Sequence, residues 1–379
     1  MDYLYLPENL DLESLLCEKG YKVSDTDLDR MTYFVNIIMS KRYYQMPSDY
    51  VPLDSKILRK IIRDHKFYAN ILGDIGVLEC DGFYAKAKKC LGYRISKKYK
   101  SKIRKSKIKT KTLVSAMLRN KKTYKYTDLQ KHLYKFLSRI TISEKAYEEI
   151  ETWQNIEDFN CAKSSIDKII EKSFYLKEDS FGRIHTNITN LKRDLRKYLK
   201  FNDQSIVNLD ISSSQPLLLY ILSRSCNNGV YMGSISCCAA TDLEHYKSLV
   251  EAGEIYPFLS EKLLLQPTED IKHVLYRDVF FGKDTHPKFC ELFPTVAATL
   301  KELKKSDYRN AAWTMQRLES DIVINKICRD LMDTHPNAFI TTIHDSFIST
   351  RENIPIIQDA VRRTFRALGV APKLRVEIY

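Results

Sequence analysis

The sequence predicts an α+β chain, with a mainly helical region over residues 1–175 and a sheet-bearing region over residues 176–379. Three observations predict it. Apolar residues recur at helical spacing through the first part, as in Leu129, Leu133, Phe136 and Leu137, then Ile166, Ile169 and Ile170. After residue 177 the character changes, and two β-prone runs, beginning at Ile206 and Phe339, deliver the aspartates Asp210 and Asp345 at their ends. The length, 379 residues, allows a large core in two or three subdomains.

Charge narrows the function classes. The formal net charge is +13. Such an excess attracts polyanions, nucleic acid first and anionic membrane second. No apolar run approaches a bilayer-spanning length. The start, Met-Asp-Tyr-Leu-Tyr-Leu-Pro-Glu, lacks the basic stretch and apolar core of a signal peptide, so an intracellular protein without membrane partners is expected. Nine scattered cysteines contain no Cys-x-x-Cys pair, and the adjacent Cys237 and Cys238 are poorly spaced for zinc.

In chain order, Asp11-Leu-Glu13 sits in a helix-prone acidic patch and is set aside as a proofreading exonuclease site. Residues 53–71 read as one helix, with Ile57, Ile61 and Ile62 among charges. The run 97–111 is nearly all Lys, Arg, Ser, Thr and Ile. It reads as an electrostatic arm on a phosphate backbone rather than a core element, with Lys102, Arg104, Lys105 and Lys107 as contacts. Residues 191–199 read as a basic helix carrying Arg193 and Arg196, preceded by Gly182-Arg183-Ile184-His185.

The chemistry sits further on. Strand 206–210 ends at Asp210; Ser212 to Ser214 offer helix caps, Pro216 suits a first turn, and 217–222 continue as a buried helix. Residues 270–282 read as a helix with Lys272, Tyr276 and Phe280 on one face. Residues 339–348 read as a hairpin with His344 and Asp345 at its tip. Two carboxylates delivered from distant segments suit a pair of divalent cations that clamp the oxygens of a phosphoryl transfer. Each segment alone also fits a plainer reading: a capped turn, an amphipathic helix, an acidic hairpin.

The order of the three segments resembles the palm and fingers of family A DNA polymerases and the phage-type single-subunit RNA polymerases. The Asp210 segment, Asp-Ile-Ser-Ser-Ser-Gln, resembles the first catalytic motif, nearer the RNA enzymes than the Asp-Tyr-Ser-Gln-Ile-Glu of the DNA enzymes. Ile343-His-Asp-Ser-Phe347 resembles the last motif. Met315-Gln316 with Ser320-Asp321-Ile322 is similar to the helix whose glutamine touches the primer–template minor groove, and 372–377 to the closing palm strand. The similarity covers about residues 178–379.

The resemblance implies a right-hand polymerase architecture: an antiparallel-sheet palm, helical fingers near 240–310, and N-terminal parts acting as thumb. It implies a template-directed DNA polymerase without a proofreading exonuclease, with a primer–template and nucleoside triphosphates as partners. Asp210, Asp345 and the Ile211 carbonyl would hold two Mg²⁺, with Mn²⁺ as a substitute. Lys272 or His273 would bind the triphosphate, Tyr276 and Phe281 would line the base pocket, and Gln316 and His344 would lie near the primer end. Arg183, Arg193 and Arg196 would contact nucleic acid. An RNA polymerase or primase is the nearer alternative, and a non-catalytic replication accessory the more distant one. Two departures stand out. The family's lysine lies eight residues before the tyrosine of a Tyr-Gly pair, whereas here Phe281-Gly282 has His273 at that spacing and Lys272 one step further. The family's ribose-excluding glutamate is expected to have no counterpart, Leu217 or Leu218 standing in its neighbourhood.

Overall fold

The computed structural model describes residues 3–42, 50–85, 88–120, 125–227, 240–263 and 270–379. They form two compact units, residues 1–125 with 147–167 and residues 126–146 with 168–379. The chain passes between units three times, and residue 175 lies inside the second unit. Cys237 and Cys238 lie outside the described residues.

In the first unit, strand β1 (Tyr3–Pro7) pairs antiparallel with β5 (Ile103–Lys107). Strand β4 (Gly92–Ile95) pairs with β2 (Val51–Pro52) and β3 (Leu78–Cys80). The helix Asp25–Arg42 buries Met31, Phe34, Val35 and Ile38 among them. Asp11 caps the helix Leu12–Glu18, accepting from the Ser14 amide at 3.2 Å, so this acid has a local structural duty.

Two expectations fail here. Residues 53–71 form not one helix but two, Ser55–Arg59 and His65–Asp74, the second begun by the Asp64 carbonyl accepting from the Phe67 and Tyr68 amides. The basic run does build core: Ile103 and Ile108 are buried, and 103–107 is a paired strand. Two isoleucines suffice because the strand needs only one inward face. Its lysines reach carboxylates. Lys100 meets Glu157 at 2.8 Å and Lys105 meets Asp167 at 3.2 Å; Lys102 pairs with Glu151 and Lys109 with Glu13.

The second unit is built on a six-stranded antiparallel sheet. Its order is β11 (Thr341–Ile343), β12 (Ser346–Thr350), β10 (Gln204–Ile211), β9 (Leu199–Phe201) and β6 (Ile140–Ile142), with β13 (Leu374–Ile378) also on β10. β10 is central because its core-facing residues Val207, Leu209 and Ile211 are all apolar and β-branched or bulky. Asn202 and Asp203, at φ 49° and 63°, make the two-residue turn from β9. The hairpin of β7 (Leu176–Glu178) and β8 (Ile184–Thr186) stands apart from this sheet. The basic helix expected over 191–199 is a 3₁₀ segment, Arg193–Tyr198, since Leu199 already begins β9 and leaves only a short connector. Helices Ser214–Asn227, Pro294–Lys304, Arg309–Ser320 and Ile354–Ala367 contribute Leu217, Leu219, Val296, Leu300, Met315 and Val361 to one core with Leu209 and Phe347. The unit is thus a mixture of helices and antiparallel sheet. Among the described residues of the chain, no helix is long and apolar enough to cross a membrane.

Candidate active site

β10 and β12 are neighbours, and Asp210 lies directly opposite Ser346, the residue after Asp345. Carboxylates expected from distant segments therefore arrive side by side at one end of the sheet. The coupling is visible in Asp210: burial first, then the charges of Asp345 and Glu377, push its carboxyl up to about 6. Lys272 and Arg375 pull the other way. Arg375 is opposite Asp210 on β13, and Glu377 is opposite Asn208, whose amide reaches it at 3.3 Å.

Both carboxylates are flanked by strained backbone. Ser213 has φ 53° and His344 φ 54°. Ser213 opens the helix that leaves β10, its carbonyl accepting from Leu217, and puts Ser214 in position to donate its hydroxyl to Asp345. His344 is the first of two residues between Ile343 and Ser346, a turn position where glycine is usual. Non-glycine residues held at positive φ cost about 1–3 kcal/mol each and gather at functional sites. His344 is exposed, yet partial desolvation, then Arg183, lower its pKa against the pull of Asp345, with His185 and Arg196 adding to the lowering. Its ring meets that of His185 edge-on at 6.1 Å between centroids, and His185 is anchored to Asp179 at 3.0 Å.

Behind the carboxylates lies a buried network that sequence reasoning missed. Glu319 is nearly inaccessible, accepts from both arms of Arg183 at 2.9 Å and from Gln215 at 2.7 Å, and burial raises its pKa against the pull of Arg183. Gln215 Oε1 and Ser320 Oγ are buried without a hydrogen-bond partner among the described residues. Gly182, at φ 83°, lies where a Cβ would come within 3.1 Å of Ser320. The signal for Gln215 was in plain view. Counting from Asp210, it stands where Asp-Tyr-Ser-Gln-Ile-Glu ends in glutamate, so the position assigned to Leu217 or Leu218 is corrected; both leucines are core residues. Nothing local in the sequence marked Glu319.

The helix expected over 270–282 is α-helical only over Ile271–Val274, capped by Asp270, and continues as a π-helix, Leu275–Phe280. Lys272 is felt by Asp210, whereas His273 is felt by Asp278. Lys272 also lies 5.4 Å above the Tyr256 ring; Tyr276 bonds the Tyr256 hydroxyl and stacks on Phe281 at 5.4 Å.

The site thus gathers Asp210, Asp345, His344, Lys272 and Tyr276. Arg183 is held by Glu319, Arg193 by Glu377 at 3.0 Å, and Arg196 by the Leu191 carbonyl at 3.3 Å. Gln316 is half-buried on the Arg309–Ser320 helix. Lys102, Arg104, Lys105 and Lys107 belong to the first unit.

No group of three or more His, Cys, Asp or Glu is arranged to hold a metal among the described residues. The donor set still fits Mg²⁺, which keeps waters and takes one or two carboxylates together with substrate phosphates. Asp210 on its strand and Asp345 beside the neighbouring strand are oxygen donors of that kind.

No family model matches the chain, and no curated protein does. Among solved structures it is similar to the POL domain of Pol1 from M. smegmatis in complex with DNA primer-template and dNTP, at TM-score 0.33 and 13% identity, over 96% of this chain. The chain spans 65% of that structure's length.

Proposed function

We propose that the chain is a template-directed nucleotidyltransferase, a DNA-directed DNA polymerase without proofreading, acting through Asp210 and Asp345. The observation that carries this is the pair of carboxylates on adjacent strands, close enough for Asp345 to raise the pKa of Asp210. In the reaction a primer 3′-hydroxyl loses its proton to solvent, its oxygen bonds to the α-phosphorus of an incoming nucleotide, the bond from that phosphorus to the bridging oxygen breaks, and pyrophosphate leaves. Asp210 and Asp345, with the Ile211 carbonyl, would hold two Mg²⁺, which when bound supply Lewis-acid stabilisation of the attacking and leaving oxygens. Lys272 draws the triphosphate by its charge, and Tyr276 stacked on Phe281 offers a face for the base. His344, kept neutral near pH 7, sits beside the reacting end without adding repulsion to a cation. Positioning and charge neutralisation supply most of the rate. Primer extension tests this: Asp210→Asn or Asp345→Asn abolishes extension and leaves nucleic-acid binding intact, and near-normal extension by either variant sinks the assignment.

Sugar choice follows from Gln215 and Phe281. Gln215 donates its side-chain amide to Glu319 at 2.7 Å and carries no carboxylate with which to exclude a ribose hydroxyl. Phe281 carries no hydroxyl to favour ribose. The expectation is dNTP use with poor discrimination against rNTPs. Phe281→Tyr moves the ratio of incorporation efficiencies toward rNTPs, and strict rNTP use by the unaltered chain would promote the RNA polymerase reading.

A further inference from the structure

The first unit carries a basic cleft that the proposed chemistry does not use. It has a volume of about 600 Å³ and is lined by Arg30, Arg59, Lys60, Arg63 and Arg119, with no aspartate or glutamate among the described residues that line it. The contrast with the 97–111 run is direct, since several lysines there face carboxylates. The cleft's spacing is fixed by the backbone. The Asn120 amide donates to the Lys60 carbonyl at 3.0 Å, tying the end of the helix Lys111–Arg119 to the turn that carries Arg59, Lys60 and Arg63. Arg30 is held by the Tyr68 hydroxyl at 2.9 Å. Basic residues near helix C-termini gain from the helix dipole, which explains one such residue per helix. It does not explain four arginines converging on one concavity. Guanidinium groups match phosphate oxygens two at a time, which favours phosphate over a general acidic surface.

A second groove adjoins the cleft. Arg59 lines both. This groove, about 410 Å³, is lined also by His65, Lys66, Tyr84 and Tyr93. His65 is 4% exposed, and its Nδ1 has no hydrogen-bond partner among the described residues. Tyr84 is 64% exposed. A buried ring nitrogen without a partner and an exposed aromatic face suit a base that is free of a duplex. A paired base presents neither its face nor its Watson–Crick edge.

We infer that this face of the first unit binds a single-stranded nucleic acid, phosphates in the arginine cleft and one base in the adjoining groove, against Tyr84 and His65. The site needs nothing from Asp210 or Asp345.

Fluorescence anisotropy of a labelled oligothymidylate strand, titrated with the full chain over a series of salt concentrations, tests it. Arg59→Ser with Lys60→Ser and Arg63→Ser lowers the slope of log affinity against log salt by about 2, at roughly 0.7 per lost phosphate contact on a single strand. Arg59→Lys with Arg63→Lys keeps the slope, which separates lost charge from lost folding. Tyr84→Ala weakens binding by about 5- to 100-fold and leaves the slope unchanged, the signature of lost stacking. In the chain carrying Asp210→Asn and Asp345→Asn, which does not extend a primer, the triple variant lowers the slope by the same amount, so this site and the proposed chemistry fail separately. An unchanged slope in the triple variant overturns the inference. So does preference for a duplex that Tyr84→Ala does not alter. So does loss of binding to phosphatidylcholine–phosphatidylserine vesicles in the triple variant while oligonucleotide affinity stays the same.

Discussion

Asp210→Asn sets the stability of the second unit against its chemistry. In the folded chain the Asp210 carboxyl is raised from 3.8 to about 6, by burial first and then by Asp345 and Glu377. The folded state therefore binds this proton more tightly than the unfolded chain. Stability from this group is fully present below about pH 4, falls as pH rises through 6, and is flat above. The difference from 3.8 to about 6 is worth about 3 kcal/mol at roughly 1.36 kcal/mol per pH unit. Asp210 is half-buried and water reaches part of it, so about 1–3 kcal/mol is the working range. Asparagine does not ionise and escapes the loss. The assay is urea unfolding in a chelator, followed by Trp313, with Trp153, the other tryptophan, changed to Phe so that only the second unit reports. At about pH 7.5 the variant unfolds at higher urea than the parent, and the gap closes toward pH 4. Added Mg²⁺ then stabilises the parent and not the variant, by mass action. A variant that is equal or less stable at neutral pH, or a gap that ignores pH, refutes the reasoning.

Two further outcomes follow from the same site. Arg183→Met leaves Glu319 buried without its main partner and costs about 3 kcal/mol, the low end for such pairs because Arg183 keeps some exposure; Arg183→Met with Glu319→Leu recovers most of it, measured by the urea midpoint. His344→Gly relieves a positive φ and raises stability by about 1 kcal/mol, while loss of the imidazole lowers extension; a destabilised variant would mean that the turn is not strained.

The helical and strand content of the second unit was legible because its signals are local. Alternation and β-branching mark β10, and helical spacing marks Leu129, Leu133, Phe136 and Leu137, which lie on the helix Asp128–Leu137. The Asp210 and Asp345 segments were legible for the same reason, each being a strand that ends in an acid. What joins them was not. Glu319 reads as one more charge on an amphipathic helix until Arg183 and Gln215 arrive from elsewhere in the chain, 136 and 104 residues away in sequence. The basic run misled in the opposite direction. Its charge density suggested a solvated arm, but a strand needs only alternate residues buried, and acids distant in sequence were present to meet its lysines. The acids lie far away in sequence, Glu151 exposed and Asp167 buried, so composition gave no warning of the pairs.

The lysine register follows from a local irregularity of the helix. An unbroken α-helix would place the residue eight positions before Phe281, His273, where a triphosphate-binding group is expected. The chain instead runs through a π-turn between Lys272 and Phe281, in which the Phe281 amide donates to the carbonyl of Tyr276, five residues back, at 2.9 Å. A π-turn absorbs one extra residue without turning the flanking segments away from their faces. It therefore brings Lys272 to the side that Asp210 feels and leaves His273 to Asp278. Gly282 closes the segment where a Cβ would strike the Arg277 carbonyl, which requires glycine there. The one-residue departure in spacing and the irregular helix are thus a single feature, and it turns Lys272 rather than His273 toward the paired carboxylates.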